Sequence, residues 1–392
     1  MKNCFVRNLD TMKFSILQSK LKEALNIIER IASKSPSLPI LGNVLIEAKD
    51  NFLKLSATNL EIGVNFWLLA KVEKPGKITI PAHIFSSSVN YLSPSTTINA
   101  EEKNGVLSLE CNNTKTRING VSAEDFPIIP NVEKNENASI ESFAFSQGLL
   151  QLISIASLST VKPEISGIYH HFSKNSLTLA ATDSFRLGER KIIFKKPLDV
   201  SKEYSLILPQ RSASLLASIF GEKDIQLNLY FSPNLLMFES SMEETDHPKI
   251  QFVSKLIEGE YPQYQEIIPQ QYKTEAIINR NDFLNQLKAA SLFASRINEV
   301  KLKMNFQEQK VEIFCQNPEL GEYSSSFPVE IKGKETDISF NYRFLLDGLA
   351  NIKSEKVLFA FSEERENEEG PAILKGADDR NYLYVVMPIQ PA

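Results

Sequence analysis

The residues able to do chemistry in this 392-residue chain are few, and their spacing argues against a catalytic centre. There are four histidines: His83, His170, His171 and His247. The adjacent pair His170-His171 sits in a stretch that reads as a β-strand, where neighbours point to opposite faces and cannot both bind one metal. All four are expected to be structural. Cys4, Cys111 and Cys315 are far apart and lack CxxC spacing, so neither a disulfide framework nor a zinc site is indicated and reduced thiols are expected. There is no Walker A loop, no GxGxxG after a strand, no HExxH and no GxSxG elbow. Asp183 beside Arg186, and Asp378-Asp379 beside Arg380, suit turns and ion pairs better than acid–base work. A hydrolase using Asp183 and Glu260 would need the two carboxylates within about 5–10 Å of each other in a cleft, and nothing in the sequence supports that. No catalytic residue, metal or cofactor is expected.

The elements that carry these residues recur three times. An apolar strand, a hairpin and a polar stop run from Leu38-Pro39-Ile40-Leu41-Gly42 to Ala57-Thr58-Asn59. The pattern returns from Pro163-Glu164-Ile165-Ser166-Gly167 to Ala181-Thr182-Asp183, and from Glu299-Val300-Lys301-Leu302 to Cys315-Gln316-Asn317. A strand that meets Pro or Asn and becomes a helix recurs as Ile78-Thr79-Ile80-Pro81, Leu206-Ile207-Leu208-Pro209 and Ile338-Ser339-Phe340-Asn341. Thr58 and Thr182 stand 124 residues apart, far beyond the roughly 20–50 residues of a solenoid unit. Each copy is therefore a domain, at residues 12–133, 134–270 and 271–392. Residues 1–11 fit no copy and are expected to be a disordered extension or a start codon placed too early. Each copy opens with a strand and an amphipathic helix, with Ser19, Ser146 and Asn281 as expected N-caps. Alternating stretches such as Leu53–Ser56, Ser176–Leu179 and Lys310–Ile313 read as strands of sheets with one buried face.

A net charge of −5 argues against a protein that coats nucleic acid all over, but not against one basic face on an acidic body. Lys20, Lys22, Arg30 and Lys34 lie on or beside the first helix of copy one, and Arg211 opens the second helix of copy two. Lys288 and Arg296 are placed on the first helix of copy three, Arg343 and Lys353 on its second. Their recurrence suggests helices that meet phosphates without reading bases. The acidic run Glu363–Glu369 reads as a solvated loop. No apolar run reaches the 18–20 or so residues of a membrane span, and no secretory signal is evident, so a cytoplasmic protein is expected. The apolar ending Tyr384-Val385-Val386-Met387-Pro388 reads as a last strand with soft contact area at its tip.

Four phrases, Leu38-Pro39-Ile40-Leu41-Gly42-Asn43, Ala181-Thr182-Asp183-Ser184-Phe185-Arg186-Leu187, Gly259-Glu260-Tyr261-Pro262-Gln263-Tyr264 and Tyr384-Val385-Val386-Met387-Pro388, lie in order. Together they make the chain resemble the bacterial replicative sliding clamps, the beta subunits of DNA polymerase III, from about Met12 to Pro388. The resemblance implies an α+β, DNA-clamp fold with three similar domains, each with two inner helices and outer antiparallel sheets. It also implies a head-to-tail homodimeric ring around duplex DNA, in which Lys20, Lys22, Arg30, Lys34, Arg211, Lys288, Arg296 and Arg343 face the DNA. Leu292 and Phe293 would lie at the dimer interface. The implied function is processivity without catalysis. Implied partners are the polymerase catalytic subunit, the clamp loader, and repair and ligation proteins carrying a short apolar peptide.

The family's peptide pocket maps onto Ile165, Thr182, Ser184, Phe185, Arg186, Leu187, Pro262, Ile267, Asn341, Phe344, Pro371, Val385, Val386, Met387 and Pro388. Peptide side chains are expected to bury against Ile165, Leu187, Val386 and Met387. Three departures stand out: Phe185 where the family usually has His, Gln265 and Glu266 where basic residues are common, and the tail Gln390-Pro391-Ala392. A more acidic rim is expected from them. A clamp relative that no longer encircles DNA is the main alternative; the carboxylate-pair hydrolase is the other.

Overall fold

A computed structural model of the chain describes residues 11–32, 35–134, 137–157, 159, 161–198, 203–222, 224–362 and 369–390. Cys4, Lys34, residues 1–10 of the extension, all but Glu369 of the acidic run, and Pro391-Ala392 lie outside the described residues. Six helices are present among those described: α1 Gln18–Ile31, α2 Ala82–Asn90, α3 Ser142–Leu152, α4 Gln210–Phe220, α5 Arg280–Ser291 and α6 Tyr342–Asn351. They come two to a copy, each directly after a strand.

The strand-to-helix junctions differ from the expected caps. Helix α1 starts at Gln18, so Ser19 is already helical, and Leu17 (φ −68°, ψ 134°) is the cap residue. The Gln18 N–H, one of the four open donors of the first turn, is satisfied by the Thr96 carbonyl at 2.9 Å. Helix α3 begins at Ser142, leaving Ser146 buried in its interior. In α5 the cap is Asn279, whose Oδ1 accepts from the N–H groups of Asn281 and Asp282. Pro81 stands at the N-cap of α2, one residue earlier than the first helical turn.

The chain packs into two compact units, 1–143 with 218–256, and 144–217 with 257–392. In the first, an eight-stranded sheet runs in the order Asn137–Glu141, Gln226–Phe231, Leu235–Ser241, Pro248–Lys255, Ile62–Leu69, Phe52–Thr58, Asn43–Lys49, Gly76–Pro81. Four strands come from copy two and four from copy one. The seam is the antiparallel pairing of 248–255 with 62–69, with Ser254 opposite Ile62. This seam places residues 218–256 of copy two with copy one. The second unit repeats the plan: Arg186–Ile193 of copy two pairs with Tyr382–Val386 of copy three, Arg186 opposite Val386.

Among the described residues, two half-sheets have no such partner strand. In the first unit, Lys71–Lys74, Lys13–Leu17, Thr97–Lys103, Val106–Cys111 and Thr114–Asn119 end on the edge strand 114–119. In the second unit, Thr336–Asn341, Glu299–Asn305, Lys310–Asn317 and Gly321–Pro328 end on the edge strand 321–328. By their place in the repeat, these are the two halves that would make one more seam.

Apolar alternation produces the cores. Phe14 and Ile16 point inward from the first strand, and Leu21, Ala24, Leu25, Ile28 and Ile31 form the buried stripe of α1. Helix α1 packs on α2, and α5 on α6. His170 and His171 do point opposite ways. His170 is fully buried, its Nδ1 2.9 Å from the Ile168 carbonyl, while His171 meets the Ser205 hydroxyl at 2.9 Å. Burial lowers the His170 pKa to about 4, partly countered by that backbone hydrogen bond.

Candidate partner-binding site

The site grows from a five-residue turn at the second seam. The Thr182 hydroxyl donates to the Arg186 carbonyl (2.8 Å) and accepts from the Ser184 N–H (3.2 Å). Asp183 Oδ1 accepts from the N–H groups of Phe185 and Arg186, both at 3.0 Å. These side-chain bonds satisfy a turn in which Ser184 adopts φ 78°, a left-handed conformation uncommon for a residue with a Cβ. The consequence is an outward Phe185, 61% exposed.

Arg186 is fixed on every side. Its Nε donates to Asp183 Oδ2 (2.9 Å), Nη1 to Asp347 Oδ2 of α6 (2.5 Å) and Nη2 to the Ser154 carbonyl (2.8 Å). The guanidinium also lies 4.7 Å from the Phe344 ring centroid, a cation–π distance. Burial works against its charge, but Tyr384, Asp347 and Asp183 outweigh burial and hold the Arg186 pKa above its ordinary value. The Phe185 and Phe344 rings stack at 6.3 Å. The C-terminal run threads past this turn: the Met387 N–H donates to the Phe185 carbonyl (2.9 Å) and the Ile389 N–H to the Ser339 carbonyl (2.8 Å).

The structure divides the fifteen sequence-derived pocket residues. Strand alternation sends Leu187 and Val385 to one face, where they join a buried cluster with Ala180, Tyr264, Ile373 and Leu383. Arg186 and Val386 face the other way. Thr182 and Ile165 are buried, and Pro388 is covered. The Pro371 carbonyl accepts from the N–H and hydroxyl of Ser362. Asn341 caps α6, accepting from the Arg343 N–H. Three of the four expected contact residues are thus already covered: Leu187 and Val386 are 0% exposed and Ile165 4%. The accessible apolar surface is Phe185, Met387 (36%), Ile267 (45%), Phe344 and Pro262. Gln265 and Glu266 are exposed beside them, in the short turn Tyr264–Ile267. Asp347 and the Ser154 carbonyl, which aim Arg186, were not among the sequence-derived residues. A carboxylate six residues after the Asn341 cap is an ordinary helix residue in the pattern, and a carbonyl leaves no mark in it.

The same turn exists at the first seam with different chemistry. Thr58 donates to the Ile62 carbonyl (2.8 Å), Asn59 Oδ1 accepts from Glu61 and Ile62, and the Lys255 N–H meets the Glu61 carbonyl (2.8 Å). Ile62 stands in place of Arg186, so no guanidinium cluster forms there.

Among the basic residues, Lys20, Arg30, Arg211, Lys288 and Arg343 are exposed on helices and Lys22 is half-buried. Lys20 and Lys22 lie about 200° apart around α1, so they cannot meet one ligand together. Arg296 lies in the turn after α5, not on it, and Lys353 two residues beyond α6, donating to Gln147 (2.9 Å). Asp379 pairs with Arg190 (2.5 Å) rather than with Arg380.

Six helices in three strand–helix repeats, sewn by cross-copy sheet seams, define a three-domain clamp fold. Comparison with known proteins agrees. Family models of the DNA polymerase III beta subunit match in order: its N-terminal domain over residues 12–130, central domain over 142–263 and C-terminal domain over 265–390. The chain belongs to this family. It is 26% identical to the beta sliding clamp of Bacillus subtilis over 391 residues, covering 97% of this chain and 100% of the relative. It is 24% identical to that of Staphylococcus epidermidis over 388 residues, covering 97% and 99%. The solved Bacillus subtilis DNA polymerase sliding clamp superposes with a TM-score of 0.89 at 25% identity, covering 97% and 100% of the two chains. A Pseudomonas aeruginosa sliding clamp bound to griselimycin shares the fold at 0.88 and 22% identity, with the same coverage.

Proposed function

We propose that this chain is a DNA polymerase processivity factor in which two copies close head to tail around duplex DNA. The observation that carries the ring is the pair of unfinished half-sheets. Strand 321–328 of one copy is to strand 114–119 of the other what 62–69 is to 248–255, and 186–193 to 382–386, within the chain. Apolar side chains flank both edges: Leu292 (71% exposed), Ile297 and Leu320 beside one, Ile84 and Val121 near the other. Phe293 stacks on Tyr323 of the first edge at 6.2 Å. An exposed edge flanked by apolar groups favours a specific pairing partner.

The ring slides because phosphate contacts are sparse and no element reads bases. Lys22, Arg30, Arg211, Lys288 and Arg343 are the DNA-facing set favoured by helix placement, with Arg296 in the turn after α5 beside them; Lys20, on the other side of α1 from Lys22, is left out of it, and Lys34 lies outside the described residues. The Phe185–Met387 surface tethers the polymerase catalytic subunit, the clamp loader, and repair and ligation proteins through a short apolar peptide. The protein does no chemistry of its own and works in the cytoplasm. Among the described residues, no helix is long and apolar enough to cross a membrane.

The test is topological. Protein loaded on a nicked circular duplex should stay through gel filtration and be lost when the circle is linearised. Loss from both forms would favour a relative that binds partners without encircling DNA, and retention on the linear form would favour direct gripping.

A further inference from the structure

A cleft of about 640 Å³ lies in the first compact unit, whereas the Phe185 turn belongs to the second. Its floor is apolar: Leu17 at the start of α1 (48% exposed), Trp67 and Leu69 (46%) at the end of the seam strand, and Met242. The volume suits one or two side-chain anchors. Trp67 is held in place, with Lys54 Nζ 5.4 Å from its ring and the His247 ring against its edge at 5.5 Å. His247 in turn stacks on Phe52 at 4.3 Å. A fixed indole loses little freedom when a ligand covers it. The pairing of 235–241 with 248–255 slips between Ser240 and Ser241. Ser240 lines the cleft, and among the described residues its Oγ is buried without a hydrogen-bond partner. An orphaned buried hydroxyl in a cleft wall is a ready contact for an incoming polar group.

Charge on the rim selects the occupant. Lys249 is engaged by Glu23 at 3.2 Å. Asp224, Glu243 and Glu244 are exposed and, among the described residues, make no ion pair or hydrogen bond; Lys20 is the cation that faces them. Three carboxylates against one ammonium disfavour nucleic acid and favour a cationic ligand. A second, shallower cleft of about 590 Å³ shares Leu17 and Leu69 with the first and is lined by Lys71, so the carboxylates of the first cleft are where cationic groups of a ligand are drawn. Two clefts across one apolar ridge suit an extended segment with anchors on both sides, more than a compact small molecule.

We propose that this groove is a second partner site, taking an extended peptide in which apolar anchors alternate with lysine or arginine. Trp67 is the chain's single tryptophan, so its emission reads the site directly in the full-length protein. The probe is a blocked hexapeptide alternating lysine with leucine and phenylalanine; the control carries glutamine in place of lysine. The lysine peptide should give a saturable emission shift, and the control should bind about tenfold more weakly at low salt. Reversing the rim (Asp224→Lys, Glu243→Lys, Glu244→Lys) should remove that preference, with unchanged circular dichroism because all three side chains are exposed. Leu69→Asp should abolish the shift, while Met387→Ala should leave it intact. The proposal is overturned by no saturable shift at millimolar peptide, by equal binding of the two peptides, or by loss of the shift in Met387→Ala.

Discussion

Replacing Leu292 by lysine tests the ring at the contact between copies. Leu292 ends α5 as its C-cap, its N–H bonded to the Ala289 carbonyl at 3.3 Å, and its side chain is 71% exposed in a single chain. Full burial of a leucine is worth about 1.5–3 kcal/mol, so covering the exposed part gives about 1–2 kcal/mol per interface. A head-to-tail dimer has two interfaces, and Leu292→Lys therefore removes about 2–4 kcal/mol, or roughly 30- to 1000-fold in the dimer Kd. The cost to the monomer is small, because a cation at a helix C-terminus is favourable by about 0.3–1 kcal/mol. That separates the substitution from Phe293→Asp, which would also break the stack on Tyr323. Sedimentation velocity over a nanomolar to micromolar series measures the constant. Leu150→Lys on α3, also half-exposed but on neither sheet edge, is the control and should leave it unchanged. A Leu292→Lys protein that dimerises like the unaltered one refutes the seam assignment, and equal weakening by Leu150→Lys refutes its location.

Three further outcomes are expected. Met387→Ala should weaken an apolar clamp-binding peptide by about 1–2 kcal/mol in calorimetry while the dimer constant holds, because the accessible contact surface is small and concentrated. Lys134→Met should destabilise the first unit by about 1–3 kcal/mol in urea unfolding, since it leaves the buried Glu239 carboxylate without its counter-charge, Gln251 Nε2 (2.7 Å) remaining as a neutral donor; adding Glu239→Gln should recover most of the loss. His170 has a folded pKa near 4, below the 6.5 of the unfolded chain, so the unfolded state binds the extra proton. Its contribution is complete above pH 6.5 and is lost as pH falls toward 4, on the order of 2 kcal/mol between pH 7 and 5. His170→Phe should flatten that part of the stability profile, and an unchanged profile would assign the pH dependence to other groups.

Much of the fold was legible because its causes are local. The alternation in Ser176-Leu177-Thr178-Leu179 and the stripe Leu21, Ala24, Leu25, Ile28 report strand and helix whatever surrounds them. The caps were misplaced because segments distant in sequence supply partners that a lone helix lacks, as the Thr96 carbonyl does for Gln18 and the Ile225 carbonyl for Ser142. The pocket was legible as a set of positions but not as a surface. That Leu187 is covered while Phe185 stands out depends on the pairing of 186–193 with 382–386, nearly 200 residues away in sequence.

By itself the sequence determined a triple repeat, its strands and helices, the absence of recognisable catalytic motifs, and the residues of the Thr182–Arg186 turn. Each follows from side-chain type and short-range spacing. Only tertiary structure decided which copies share a sheet, which edges stay open, how Asp347 and Ser154 aim Arg186, and that Leu17, Trp67 and Met242 enclose a cleft. The reason is physical. Antiparallel register is fixed by the partner strand and by what each face buries, and those partners come from distant parts of the chain.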